Sequence, residues 1–236
     1  MLFDLGRWHE LNAQAQELLS KSDLIPYVEV ITLTSQAGVL VTQGQLARAE
    51  ELIERLMPIA RSIKDLQVLA PALALGSSLE LALGNKAGAV ALTDELEELT
   101  RGTMWRPRNL PEVARTLVAA AAVDKAQAML SDLSATATRD RNSVLHTEAI
   151  VAEARNELDR ALPLYDDAAR RWSNFGFPLE KGHALFGAAR CLTLLNRREK
   201  ALRTFEKARR IFAKLGASPL VAEVDDHLPE STTGSR

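Results

Sequence analysis

The sequence is short of most features that announce a chemistry. One cysteine in 236 residues, Cys191, excludes an internal disulfide, and no set of His and Cys stands at zinc-ligand spacing. Aromatic residues make up 5% of the chain, so the apolar mass is mainly Leu and Ala, which favour close helix packing over strands. Charge of one sign is lacking too. The 29 basic and 31 acidic residues leave a net charge of -2, which gives no overall field for nucleic acid or an anionic membrane. No uncharged apolar run reaches the roughly 18 residues a membrane span needs, and residues 1–7 contain Asp4 and Gly6 without a basic lead into an apolar stretch, unlike a secretory signal. What remains is an all-α, cytoplasmic protein without cofactor or metal, and 47% apolar with 25% charged residues is the balance of a folded domain.

What is present is a repeat. Six times a small or apolar residue is followed by residues four and seven positions later, all on one helical face. These are Leu11/Ala15/Leu18, Ala49/Ile53/Leu56, Ala89/Thr93/Leu96, Ala126/Leu130/Leu133, Ala161/Tyr165/Ala168 and Ala201/Phe205/Ala208. Their first members lie 38, 40, 37, 35 and 40 residues apart, a period of about 38 that stacked helix pairs produce. A turn residue stands about five positions before five of the six signatures: Gly6, Gly44, Gly84, Asn156 and Asn196. Gly and Asn tolerate the left-handed conformation that closes a helix and reverses the chain. The fourth repeat has none, so Asp124 is expected to serve there as N-cap.

First helices are predicted at 26–43, 66–83, 111–122, 142–155 and 178–195, three of them opened by Pro26, Pro111 and Pro178. Second helices are predicted at 45–63, 86–100, 124–134, 158–175 and 197–215. Pro163 sits early enough to be tolerated, whereas Pro58 should kink or split its helix. Small residues recur twelve positions before the signature, at Ala37, Ser77, Ala114, Ala149 and Ala189, where paired backbones must approach closely.

A small residue, a turn Gly or Asn, then Ala, aromatic and Ala at spacing four and three resembles the tetratricopeptide repeat (TPR). Ala149, Asn156, Ala161, Tyr165 and Ala168, and Ala189, Asn196, Ala201, Phe205 and Ala208, carry the resemblance best. The chain departs from the family in its period, about 38 against 34 residues, and lacks the family's early Trp and inter-repeat Pro. The stretch from Arg171 to Leu228 is similar to the C-terminal end of the helical-repeat regions of bacterial LuxR-type regulators and multidomain nucleotide cyclases. The resemblance implies a right-handed superhelical solenoid of antiparallel helix pairs over residues 1–228, with an unpaired first helix (6–19), five pairs (26–215) and a capping helix (218–228). Residues 229–236 read as a disordered tail. The first helix lacks a partner before it, so it is expected to be weakly held, to follow missing upstream sequence, or to be covered by a second copy in a homodimer.

Chemistry-bearing residues are scattered. Cys191 lies among apolar residues and reads as packing. Gly84-Asn85-Lys86-Ala87-Gly88 lacks the preceding strand and the Gly-Lys-Ser/Thr ending of a phosphate loop and reads as a turn. Such arrays bind along the face of their first helices, which places Thr34, Gly38, Thr42, Arg115, Asn142, His146, Glu153, Phe186 and Arg190 in a groove, with small residues toward one half and polar ones toward the other. Arg115 and Arg190 could pair an acidic peptide group or an acid of the chain itself. In the longest irregular connection, Trp105 with Arg106 and Arg108 reads either as an interface anchor or as a Trp folded back over the shortened fourth repeat, with the arginines facing water. The expected function is a non-catalytic interaction scaffold, the peptide- or effector-binding repeat region of a bacterial signalling or transcriptional regulator. The alternatives are a self-association module and, with no basic stripe to support it, an RNA-binding repeat.

Overall fold

The computed structural model describes residues 1–229, and among them it contains twelve α-helices and no strand. After a turn at residues 1–7 come α1 (Trp8–Leu19), α2 (Pro26–Thr42), α3 (Leu46–Ile63), α4 (Leu66–Ala82) and α5 (Lys86–Thr100). A 3-10 turn (Arg106–Asn109) leads into α6 (Leu110–Ala119) and a short α7 (Val123–Ala128). Then follow α8 (Thr138–Ala154), α9 (Leu158–Phe175), α10 (Pro178–Leu194), α11 (Arg198–Leu215) and α12 (Ser218–Asp225). Apart from Pro229, the tail read as disordered lies outside the described residues.

Each helix packs on the one after it, and α2, α4, α6 and α8 also pack on the next even-numbered helix. The small residues make this possible: Ala37, Ser77, Ala114, Ala149 and Ala189 are all buried, as are Ala49, Ala89, Ala126, Ala161 and Ala201 of the signatures. Gly6, Gly44, Gly84, Asn156 and Asn196 all take positive φ, the conformation a reversing turn requires.

Four local expectations are corrected. The fourth repeat does have its turn, because Ala121 adopts φ 65 at the place where the other repeats carry Gly or Asn. An Ala there bears a Cβ penalty of about 1–2 kcal/mol, which the packing on either side must offset. Asp124 is not the cap; it lies inside the first turn of α7 and pairs with Arg155 at 2.7 Å. The helix ends at Ala128, well short of residue 134, and Asp132 in turn takes φ 53. Pro58 neither splits nor ends α3, which runs unbroken from Leu46 to Ile63. Pro58 lies on the exposed side, where the carbonyl it leaves without a donor can reach water, while Leu56 and Ala60 stay fully packed.

The N-terminal end is not left bare. Phe3 stacks on Trp8 with ring centroids 5.8 Å apart, and the Trp8 indole N–H donates to the Phe3 carbonyl. Residues 4–6 meet the far end of the same chain. Asp4 lies 3.4 Å from the Arg139 guanidinium, Leu5 approaches Gly176, and Gly6 packs against Pro178 and Leu215. On the other side α12 returns to α2, where a Cβ built on Gly44 would lie 2.8 Å from Pro219 Cγ. Part of the apolar surface that would invite a second copy is therefore covered within the chain.

Candidate binding cavity

The faces of α2, α4, α6, α8, α10 and α12, together with the meeting ends of the chain, line a partly open cavity of about 940 Å³. That is the size range of small-molecule sites. The residue directly after each buried small residue, namely Gly38, Ser78, Arg115, Ile150 and Arg190, lies on its wall. The helical register that packs the pairs thus also sets what the cavity presents.

The wall has two characters. From α2 and α4 come Ile31, Val41, Val68, Pro71, Leu75 and Leu81, broken by Thr34, Ser35 and Ser78. From α6, α8 and α10 come Glu112, Arg115, His146, Glu153, Glu180, His183 and Arg190. Tyr165 reaches the cavity from α9 because Gly187 leaves room for its ring; a Cβ there would lie 2.2 Å from Tyr165 Cζ.

The arginines of this wall are tied down by carboxylates of the chain. Arg115 makes two hydrogen bonds to Glu180, at 3.0 and 2.9 Å, and Arg190 makes two to Glu153, at 2.6 and 2.8 Å. Tyr165 donates its hydroxyl to the same Glu153 at 2.6 Å, and the Arg190 guanidinium lies over the Phe186 ring. Arg139 faces Asp4, and Arg108 stacks on Trp105 with its Nε 3.9 Å from Asp140. Two-point pairs of this kind fix geometry as well as charge.

His146 is fully buried, and its Nδ1 lies 3.1 Å from Glu180 and 3.2 Å from Trp172 Nε1. Burial pushes its pKa down, so the ring is neutral and carries one N–H. Glu180, although burial opposes its charge, is held well below the usual carboxylate range by Arg115 and His146. Nδ1 faces both the Glu180 carboxylate and the donating Trp172 indole N–H, and Nε2 is buried without a partner. His183 is likewise pushed well down by burial, with Arg115 adding to the effect. Glu112 differs from the other acids: it accepts from the Ser78 hydroxyl at 2.9 Å, and burial raises its pKa.

The structure brings Trp105, Arg108, Arg115, His146, Glu153, Phe186 and Arg190 to this one cavity, along with Thr34, Gly38 and Thr42. It does not bring Asn142, which is buried in α8 and absent from the wall, or Arg106. Arg106 is 2% exposed, so it neither faces water nor offers itself to a partner. Its guanidinium donates to the carbonyls of Ala128 and Ser131 beyond the short α7 and lies 3.4 Å from Glu97. Sequence reasoning missed Glu112, Glu180, His183, Asp4 and Arg139, which acquire meaning only when helices far apart in sequence meet.

Among the described residues no group of His, Cys, Asp and Glu is arranged to hold a metal, and no helix is long and apolar enough to cross a membrane. The Cys191 thiol is buried and pushed up to about 12, so it is not a ready nucleophile.

Neither the family models nor the curated proteins include a match to this chain. Among solved structures it is similar to the crystal structure of BtubC (BKLC) from P. vanneervenii, with a TM-score of 0.53 and 14% sequence identity over 99% of this chain and 95% of that one. At that identity the likeness speaks for the fold alone, an all-helical chain matched almost from end to end.

Proposed function

We propose that the chain is a non-catalytic, TPR-like helical-repeat scaffold, a right-handed solenoid of antiparallel pairs with a period of about 38 residues, which binds a small effector or short peptide segment. The observation that carries this reading is the partly open cavity of about 940 Å³ walled mainly by the even-numbered helices. A long open groove would favour an extended peptide or a protein domain; a cavity bounded by the meeting of the chain's ends favours a compact ligand. The polar groups on its wall act as a recognition surface. Its arginines are fixed in pairs, its two histidines are neutral, and its acids sit against donors rather than against a nucleophile. Effector-dependent opening of the contacts between the chain's ends is the means by which occupancy would reach an associated signalling or transcriptional module in the bacterial cytoplasm.

Thermal-shift screening of the full chain against a panel of metabolites and short peptides tests this. Binders should raise Tm in the wild type and lose that effect in Ser35→Trp, which fills the cavity from a half-buried position whose side-chain hydrogen bond is only to its own helix. Stabilisation that survives Ser35→Trp would place binding elsewhere and defeat the reading.

A further inference from the structure

Resting on the ligand-binding reading above, we propose that the cavity takes a cationic amphiphile: a primary amine on an alkyl or aryl body, with its ammonium at Glu112 and its body along α4.

The spare hydrogen-bonding capacity of the wall carries the argument. Four arginines line the cavity, and each already has a carboxylate of the chain facing it: Arg115 has Glu180, Arg190 has Glu153, Arg139 has Asp4 and Arg108 has Asp140. An incoming anion would have to break one of the first three; at Arg108, whose Nε lies 3.9 Å from Asp140 without a hydrogen bond, it would meet the Asp140 carboxylate. Glu112 has no such counter-ion among the described residues; its one direct hydrogen bond comes from the Ser78 hydroxyl. Glu180 and Asp4 also bear on it electrostatically, against a single nearby cation, Arg115. His146 Nε2, fully buried on the same wall, is a further polar atom without a partner. A ligand that brings donors and positive charge therefore fits what is unfilled, whereas one that brings acceptors competes with bonds already made.

The position of Ser78 fixes where the rest of the ligand goes. Along α4, Val68, Pro71 and Leu75 lie on the cavity face N-terminal to Ser78, the residue that holds Glu112, and Leu81 continues it on the other side. Ten residues of helix give this apolar track a length of about 15 Å, and Ile31 of α2 lies on the cavity wall as well. A head at Glu112 thus has an apolar track leading away from it, long enough for a chain of several methylenes or an aromatic ring.

Isothermal titration calorimetry of the full chain at neutral pH, with n-octylamine and 2-phenylethylamine as probes and octanoate as the length-matched anion, tests the assignment. The amines should bind with one site per chain and octanoate should not. Glu112→Gln, which keeps an acceptor for Ser78, should weaken amine binding by about tenfold or more, the worth of a charge-assisted contact. Absence of amine binding, equal binding of octanoate, or an affinity unchanged in Glu112→Gln would each overturn the assignment. If the amines are inert while another compound stabilises the wild type and not Ser35→Trp, the amine class is wrong and the ligand-binding reading stands.

Discussion

The pairs α8–α9 and α10–α11 and the region from residue 101 to residue 137 solve the same problem by different means. In the former, Asn156 and Asn196 make the turns at φ 61 and 59, and α9 and α11 run eighteen residues each. In the latter, Ala121 makes the turn at φ 65 and α7 runs only six. The buried Arg106 guanidinium occupies the space beyond α7, donating to carbonyls that a longer helix would have satisfied itself. Yet the inner layer is the same in both: Ala114 and Ala189 are buried at the contact, and the next residue in each case is an arginine on the cavity wall. The outer helix can therefore shrink while the inner register, and with it the cavity wall, holds.

The largest test of this contrast is Tyr165→Ala. The side chain is 1% exposed and its hydroxyl helps hold Glu153, so its loss should cost about 3–5 kcal/mol in urea unfolding. Arg106→Ala should cost less, about 1–3 kcal/mol, because it strands partly buried acceptors through long bonds of 3.3–3.4 Å. Its effect should appear in hydrogen exchange as lost protection in α7 but not in α9 or α11. The turns should respond with opposite signs. Ala121→Gly should stabilise by up to about 1 kcal/mol and Asn196→Ala should destabilise by a similar amount. Equal signs would mean that the two turns are not equivalent.

The smallest effect concerns the cavity itself. Burial raises the Glu112 carboxyl above its ordinary value of 4.5, so folding favours its protonated form. That contribution is fully present below the ordinary pKa and is lost as pH rises through the raised one. Glu112→Gln should therefore be more stable than the wild type at neutral pH, and the difference should fade as the pH falls below the ordinary carboxylate value. Tm measured against pH for both proteins checks this. A variant less stable at neutral pH would show that the charge of Glu112 is already compensated.

Much of the fold was legible because its signals are local. Gly44, Asn156 and Ala37 announce turns and contacts by residue type alone, and α4, α5, α9 and α10 begin and end within a residue or so of where these marks put them. The turn at Ala121 was not legible, because alanine carries no left-handed preference and only the packing on both sides forces it there. Part of the cavity wall could be counted from the repeat, since Arg115 and Arg190 follow the small residues directly. Glu180 and Glu112 could not be recognised as wall groups by type, since an acid early in a helix is an ordinary favourable feature. Their meaning comes from Arg115 and Ser78, far away in sequence. The meeting of the ends was also invisible, because Gly6, Pro178 and Leu215 each have an adequate local explanation.

That meeting of the ends separates a bounded cavity from a long open groove, and cross-linking tests it directly. Gln43 borders Gly44, and Pro219 packs on Gly44. In Gln43→Cys/Pro219→Cys, with the buried Cys191 replaced by Ala, mild oxidation should give an intramolecular disulfide in the monomer at near-complete yield. Free thiols, or disulfides found only between chains, would mean that the ends do not meet in solution and that they do not bound the cavity.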